Sequence, residues 1–185
     1  MNSELKGIIE SDCYRYYGES KRPFLYKKRH EILNYTTLYR KARYYKDKNK
    51  LKFLLYKLKM RIKERKTNMC LPIEAEIGNG LQIAHKGNIV LYHLVKIGKN
   101  CYISSSVTIG LQSRGKKAGV PTLGDCVWLG ANTVIVGNVK IGNNVLIAPN
   151  TYVNFDVPDN SIVIGSPGKI IPRKNATEGY QLNTV

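Results

Sequence analysis

From residue 77 onward, aliphatic positions recur every six residues. They fall at Ile77, Ile83 and Ile89, then Ile97, Ile103 and Ile109, then Leu123, Leu129, Ile135, Ile141, Ile147 and Val153. The following residue is usually small or polar, as at Gly78, Ala84, Gly98, Ser104, Gly124, Gly130, Gly142 and Ala148. Four residues after the aliphatic stands a small or β-branched side chain: Cys101, Val107, Val127, Thr133, Val139, Val145, Thr151 and Val157. A period of six fits neither a 3.6-residue helix nor an alternating strand, and repeats of this length stack as a parallel β-helix. Three hexads close one triangular coil. The predicted fold is therefore mainly β, a left-handed parallel β-helix of about five coils, with residues 69–172 as its domain. The expected inward columns are 77/97/123/141, 83/103/129/147 and 89/109/135/153.

The beat breaks twice. The step from Ile89 to Ile97 is eight residues, and that from Ile109 to Leu123 is fourteen. The longer break carries a polar, basic, Gly-containing insert, Leu111–Gly119, which predicts a projecting loop.

Residues 1–68 show no such beat. Leu51, Leu54, Leu55, Leu58 and Ile62 sit at helical spacing among Lys52, Lys57, Lys59, Arg61, Lys63, Arg65 and Lys66, which predicts a basic amphipathic helix. Its apolar stripe is expected to pack on the β-helix or on another subunit, and its charge suits an anionic membrane surface or glycan. Tyr35, Leu38, Tyr39 and Ala42 predict a second helix ending near Lys46–Lys50, and Ser11-Asp12 reads as a helix cap or an acidic contact. Pro167 and Pro172 mark the exit from the repeat, and residues 173–185 read as a loose polar tail.

Charge sharpens this division. Residues 1–70 hold 20 Lys/Arg against 7 Asp/Glu, whereas residues 71–185 hold 10 against 6, so most of the formal +17 belongs to the N-terminal region. Nucleic-acid binding is not expected, because no recognised nucleic-acid module accompanies the basic run. The opening residues lack an apolar core, so no signal peptide is expected, and the longest apolar run is far too short to span a bilayer. A cytoplasmic protein is predicted, with access to the inner face of the membrane. Cys13, Cys70, Cys101 and Cys126 show neither paired nor metal-site spacing and read as reduced thiols, with no metal expected.

The repeat region holds two histidines, His85 and His93, and no nucleophile or phosphate-loop motif. His85 is the candidate general base, set against a purely structural role at a turn. Small residues at Ser105, Ala131 and Pro149 follow it in the same column and would leave a shallow slot. His93 reads as a turn or interface residue. A zinc site of the γ-carbonic-anhydrase kind would need three histidines.

The stretch Ile77–Val90, with His85 shortly before Gly87-Asn-Ile-Val90, resembles the hexapeptide acyltransferases, and specifically their serine acetyltransferase-like branch. Ser106-Val-Thr-Ile-Gly110, Leu129-Gly-Ala-Asn132, Ile164-Gly-Ser-Pro-Gly-Lys169 and the lead-in Ser11–Gly18 extend the likeness over nearly the whole chain. The resemblance implies a homotrimer with acetyl-CoA as acyl donor, bound between neighbouring β-helices. It implies that His85 is the base, and that Gly110, Gly130, Ala131, Ala148 and Lys169 meet the donor. Three positions depart from serine acetyltransferases. Ala84 stands where they carry Asp, Gly119-Val-Pro121 where they carry Arg-His-Pro, and Cys70 where a carboxylate orients the histidine. Glu74 is the carboxylate offered instead by sequence proximity. The departures point to a saccharide acceptor, free or lipid-linked, in capsule, exopolysaccharide or O-antigen assembly. The alternatives are a divergent serine O-acetyltransferase and a non-catalytic β-helix module.

Overall fold

The computed structural model describes residues 2–19 and 30–185. Three helices precede a parallel β-solenoid of about five turns. Helix α1 (Ser3–Tyr17) starts under the Asn2 side chain, which accepts from the Glu4 amide, and stops at Gly18 in the left-handed region. Helix α2 (Glu31–Tyr45) starts at His30, whose Nδ1 accepts from the Leu33 amide. Helix α3 (Lys50–Thr67) runs from the Asn49 cap to a left-handed Asn68. These are the acceptors and turn residues that helix ends require.

The solenoid has three walls. Wall I comprises strands 69–70, 89–91, 108–110, 134–136 and 152–153; wall II comprises 76–77, 96–97, 122–123 and 140–141. Wall III comprises 82–83, 102–103, 128–129, 145–147 and 161–164, with an antiparallel end strand, 169–172. The columns 77/97/123/141 and 83/103/129/147 stack in register as expected. All eight of these side chains are at most 7% exposed. Burying such a side chain contributes about 1.5–3 kcal/mol. The small residues four positions on, from Cys101 to Val157, are buried too.

The repeat's glycines have a steric reason. A Cβ on Gly78 would lie 2.7 Å from the carbonyl carbon of Gly98, and one on Gly98 would lie 2.5 Å from that of Gly124. Coils stack too closely at this corner for any side chain.

The third column corrects the expectation. Leu91, not Ile89, pairs with Ile109, while Ile89 pairs with Met69 one coil earlier. The step from Ile83 to Leu91 is therefore the long one, and the step from Leu91 to Ile97 is regular. Both Ile89 and Leu91 are buried, so hydrophobicity could not place the two extra residues. They bulge from the corner that carries His85 and Lys86, not from the one that carries His93.

The helices dock through a buried ion pair. Arg40 on α2 donates to both carboxylate oxygens of Asp12 on α1 (2.8 and 3.0 Å) and to the carbonyls of Ile77 and Gly78. Asp12 also accepts from the Leu81 amide at 2.9 Å, so it is an acidic contact rather than a cap. Tyr39, fully buried on α2, donates to the Ala75 carbonyl.

Helix α3 turns Phe53, Tyr56, Met60 and Thr67 inward. The stripe expected to be its packing face, Leu51 to Ile62, points to solvent instead.

The tail is not loose. Thr177 donates to Asn144, Tyr180 packs edge-on against Trp128, Arg15 bonds Gln181 and Leu182, and Asn100 exchanges two hydrogen bonds with Val185. Residues 173–185 thus run back along the solenoid towards its first coils.

Candidate active site

The corner between walls III and I is built from four successive turns: Ala84–Asn88, Ser104–Ser106, Gly130–Asn132 and Ala148–Asn150. The last three each turn on a left-handed residue, Ser106, Asn132 or Asn150, and Asn132 donates to Asn150 at 3.1 Å. Asparagine tolerates that conformation better than other residues that carry a Cβ. The first turn is longer by two residues and rests on the next through Gly87, where a Cβ would lie 3.2 Å from the Ser105 Cβ. Gly87, rather than His85, therefore sits above Ser105, and His85 is pushed outward.

His85 is exposed, and among the described residues no hydrogen bond fixes its imidazole. The corner around it is contacted by all three helices, its backbone by α1 and α3 and the Lys86 side chain by α2. Tyr16 of α1 donates to the Ile83 carbonyl (2.9 Å) and accepts from the Ile83 amide (2.8 Å). Glu31, the first residue of α2, forms an ion pair with Lys86. The Lys86 ammonium holds the Glu31 carboxyl below the usual carboxylate range. The Gly87 amide donates to Thr67 at the end of α3 (3.2 Å). Residues 83, 86 and 87 are thus anchored, while His85 between them is exposed. Sequence reasoning missed these supports, because Tyr16, Glu31 and Thr67 are separated from the corner by many residues.

Glu74, offered as an orienting carboxylate, lies at a different corner beside Lys46, 4.0 Å away. A carboxylate does approach Cys70. Glu64 of α3 lines a cavity of about 260 Å³ with Cys70, Asn88 and Val90, and it accepts from the Tyr35 hydroxyl at 3.1 Å. Burial, and then the Glu64 charge, push the Cys70 thiol up.

Of the residues expected to meet the donor, Gly130, Ala131 and Ala148 share the His85 corner. At Gly130 a Cβ would lie 2.5 Å from the Pro149 nitrogen, so this ridge is as bare as stacking allows. Gly110 ends a wall I strand at the opposite corner, and Lys169 is exposed on the antiparallel end strand. Wall I, which borders the His85 corner, presents Cys70, Val90, Thr108, Val134 and Tyr152 outward, without charge. Wall II presents Glu76, Lys96, Thr122 and Lys140.

The insert also leaves from that opposite corner. It closes as a hairpin through Gln112 and Gly119 and is tied down by Lys117 to Asp156 (2.9 Å) and by the Asn138 amide to the Lys117 carbonyl (2.8 Å). It folds over later coils, and no contact joins it to His85. His93 stacks on Tyr92, with centroids 4.3 Å apart. Among the described residues, no group of three His, Cys, Asp or Glu side chains is placed to hold a metal.

With this geometry established, comparison with known proteins adds the chemistry of relatives. The profile described as bacterial transferase hexapeptide (six repeats) matches residues 121–154. A serine acetyltransferase of Synechococcus elongatus is 38% identical over 101 residues, 54% of this chain and 41% of that protein. One from Staphylococcus aureus is 35% identical over 105 residues, 57% of this chain and 49% of its own length. The chain therefore spans half or less of these curated relatives. Among solved structures, a serine acetyltransferase of Neisseria gonorrhoeae in complex with serine is similar at a TM-score of 0.69 and 28% identity, covering 92% of this chain and 70% of that one. A serine acetyltransferase in complex with CoA shares the fold at a TM-score of 0.72 and 22% identity, covering 91% of this chain and 68% of its own. Residues 121–154 thus match the hexapeptide pattern of bacterial transferases. The expected polysaccharide branch draws no support from these relatives, which favour the serine alternative.

Proposed function

We propose that the chain is an acetyl-CoA-dependent O-acetyltransferase of the serine acetyltransferase kind, with His85 as general base. The observation that carries this is the anchored corner: an exposed imidazole on a turn whose backbone is bonded by α1 and α3 and whose Lys86 pairs with α2, within the segment that resembles serine acetyltransferases. The His85 imidazole takes the proton of an acceptor hydroxyl as its oxygen attacks the thioester carbonyl. The tetrahedral intermediate then expels the thiolate, which recovers that proton from the imidazolium. A positioned base contributes about 10²–10⁴-fold to such a step. The bare ridge of Gly130, Ala131 and Ala148 gives an extended donor a path along the coils to His85, with Gly110 and Lys169 as outlying contacts. The uncharged wall I suits packing against a second copy, as a homotrimer with the donor in the groove between subunits would require.

The acceptor is read first as the hydroxyl of serine. A saccharide hydroxyl is the second reading, supported by Ala84 and Gly119-Val-Pro121, which offer neither carboxylate nor cation to hold a zwitterion. CoA release from acetyl-CoA, measured with L-serine and in parallel with neutral and uronic-acid saccharides, separates the two. Release that needs L-serine supports the first reading, and release that needs only a saccharide replaces it with the second. His85→Ala is expected to lower either activity by at least 10²-fold. Near-normal turnover in that variant overturns the base assignment.

A further inference from the structure

Helix α3 carries two apolar arcs where a packed helix needs one. Phe53, Tyr56, Met60 and Thr67 lie within about 60° of arc at 100° per residue and face the rest of the chain. The second arc is Leu51, Leu54, Leu55, Leu58 and Ile62, which are 79%, 51%, 47%, 60% and 54% exposed. These five fall within about 100° on the opposite side of the helix. The fold does not use them, and a contiguous exposed apolar stripe marks an interaction surface.

Both edges of that stripe are cationic. Lys50, Lys57 and Arg61 flank one side, and Lys52, Lys59, Lys63 and Lys66 the other, while Arg65 lies on the line of the stripe itself, just past its last aliphatic, Ile62. The single acidic residue of the helix, Glu64, lies towards the inner arc and is engaged by Tyr35. Tyr44, Tyr45 and Tyr56 stand at the N-terminal end, with Lys48 3.7 Å above the Tyr44 ring and Lys52 5.0 Å above that of Tyr45.

We propose that α3 lies flat on an anionic lipid bilayer, with its leucine stripe among the acyl chains and its two cationic rims on the headgroups. Charge selects this occupant. A second copy of the chain docked on the same face would bring eight Lys/Arg from each helix together with no free carboxylate between them. A nucleic acid would satisfy the cations but leave five large aliphatic side chains unburied. An anionic leaflet satisfies both, and a helix of low overall hydrophobicity with a polar, Lys/Arg-rich face is the form that binds there. Among the described residues no helix is long and apolar enough to cross a membrane, so the contact is to the surface. Because α3 ends at Thr67, bonded to Gly87, the bilayer would lie beside the helix that anchors the His85 corner.

Vesicle co-sedimentation of the full chain tests this, using phosphatidylcholine alone, phosphatidylcholine with 30% phosphatidylglycerol, and the latter in 0.5 M NaCl. Binding is expected only to the anionic vesicles and should fall at least tenfold in high salt, since each cation near the leaflet raises partitioning roughly fivefold and salt screens it. Leu55→Gln with Leu58→Gln keeps the charge and removes apolar contact. Its binding is expected to fall at least tenfold, with melting temperature and acetyl transfer unchanged. Three results would overturn the proposal. One is no binding to anionic vesicles in low salt. Another is undiminished binding by the double variant, which would leave only a polycation that any anion attracts. The third is a smaller assembly for the double variant in light scattering, which would assign the stripe to a second copy.

Discussion

Replacing Asp12 with alanine strands the Arg40 guanidinium between α2 and the first coil. The side chains of both partners are at most 5% exposed, so water cannot take over the lost contact. Removing one member of a buried ion pair costs about 3–5 kcal/mol. Arg40 keeps the Ile77 and Gly78 carbonyls, which favours the lower figure of about 3 kcal/mol. The Leu81 amide loses its acceptor as well, which adds about 1 kcal/mol. For a chain of this length, a total of about 4 kcal/mol corresponds to a melting temperature lower by roughly 8–16 °C, measured by far-ultraviolet circular dichroism. The double variant Asp12→Leu/Arg40→Met removes both charges and should recover most of the loss, because replacing the whole of a buried pair with apolar groups is often neutral. A loss below about 1 kcal/mol in Asp12→Ala would refute the reasoning. So would a double variant worse than either single one.

Three further outcomes follow from stacking and burial. Gly98→Ala should cost about 1–3 kcal/mol in denaturant unfolding, because its Cβ meets backbone of the next coil, which cannot rotate away; an unchanged midpoint would show that the coils can spread. Burial pushes the Cys101 thiol up from 9.0 to about 12, so the folded state holds its proton after the unfolded state has lost it. The thiol's contribution to stability is complete below pH 9.0 and is lost as pH rises towards about 12, at up to about 1.4 kcal/mol per pH unit. At pH 8, mass spectrometry should find exposed Cys70 alkylated and Cys101 protected until the chain unfolds; rapid native labelling of Cys101 would contradict its burial.

Much of the solenoid was legible because its repeat has a physical cause in every position. Ile83 or Leu129 must fill the interior, and Gly98 must leave room for the next coil. The column through Leu91 was not legible, since Ile89 and Leu91 are both buried and only strand pairing shows which belongs to which coil. The same limit applied to α3: periodicity finds a leucine stripe, but it cannot say that Phe53, Tyr56 and Met60 form the face that packs. His85 stood out as a histidine in a motif, whereas its supports at Tyr16, Glu31 and Thr67 depend on tertiary contacts. Cys126 falls inside the repeat like Cys101, yet it turns a corner at φ 56° and is half-buried, whereas Cys101 is buried. The acceptor was inferred from positions that depart from serine acetyltransferases, and the relatives now weigh against that inference.

A solenoid is ordinarily a linear array in which each coil meets only its neighbours and can fray independently of the rest. Here the return of residues 173–185 closes the line into a loop, with Arg15 bonded to Leu182 across 167 positions and Asn100 to Val185 across 85. Contacts at such separation raise the mean contact order, so they slow folding and couple distant coils. Arg15 and Tyr16 also lie side by side on α1, and Tyr16 holds the strand that leads to His85. Completion of that latch must therefore await synthesis of residues 173–185. Until then the helices and early coils are a clamp without its final stitch, and the His85 corner at the first coils would reach full rigidity only once those residues have docked.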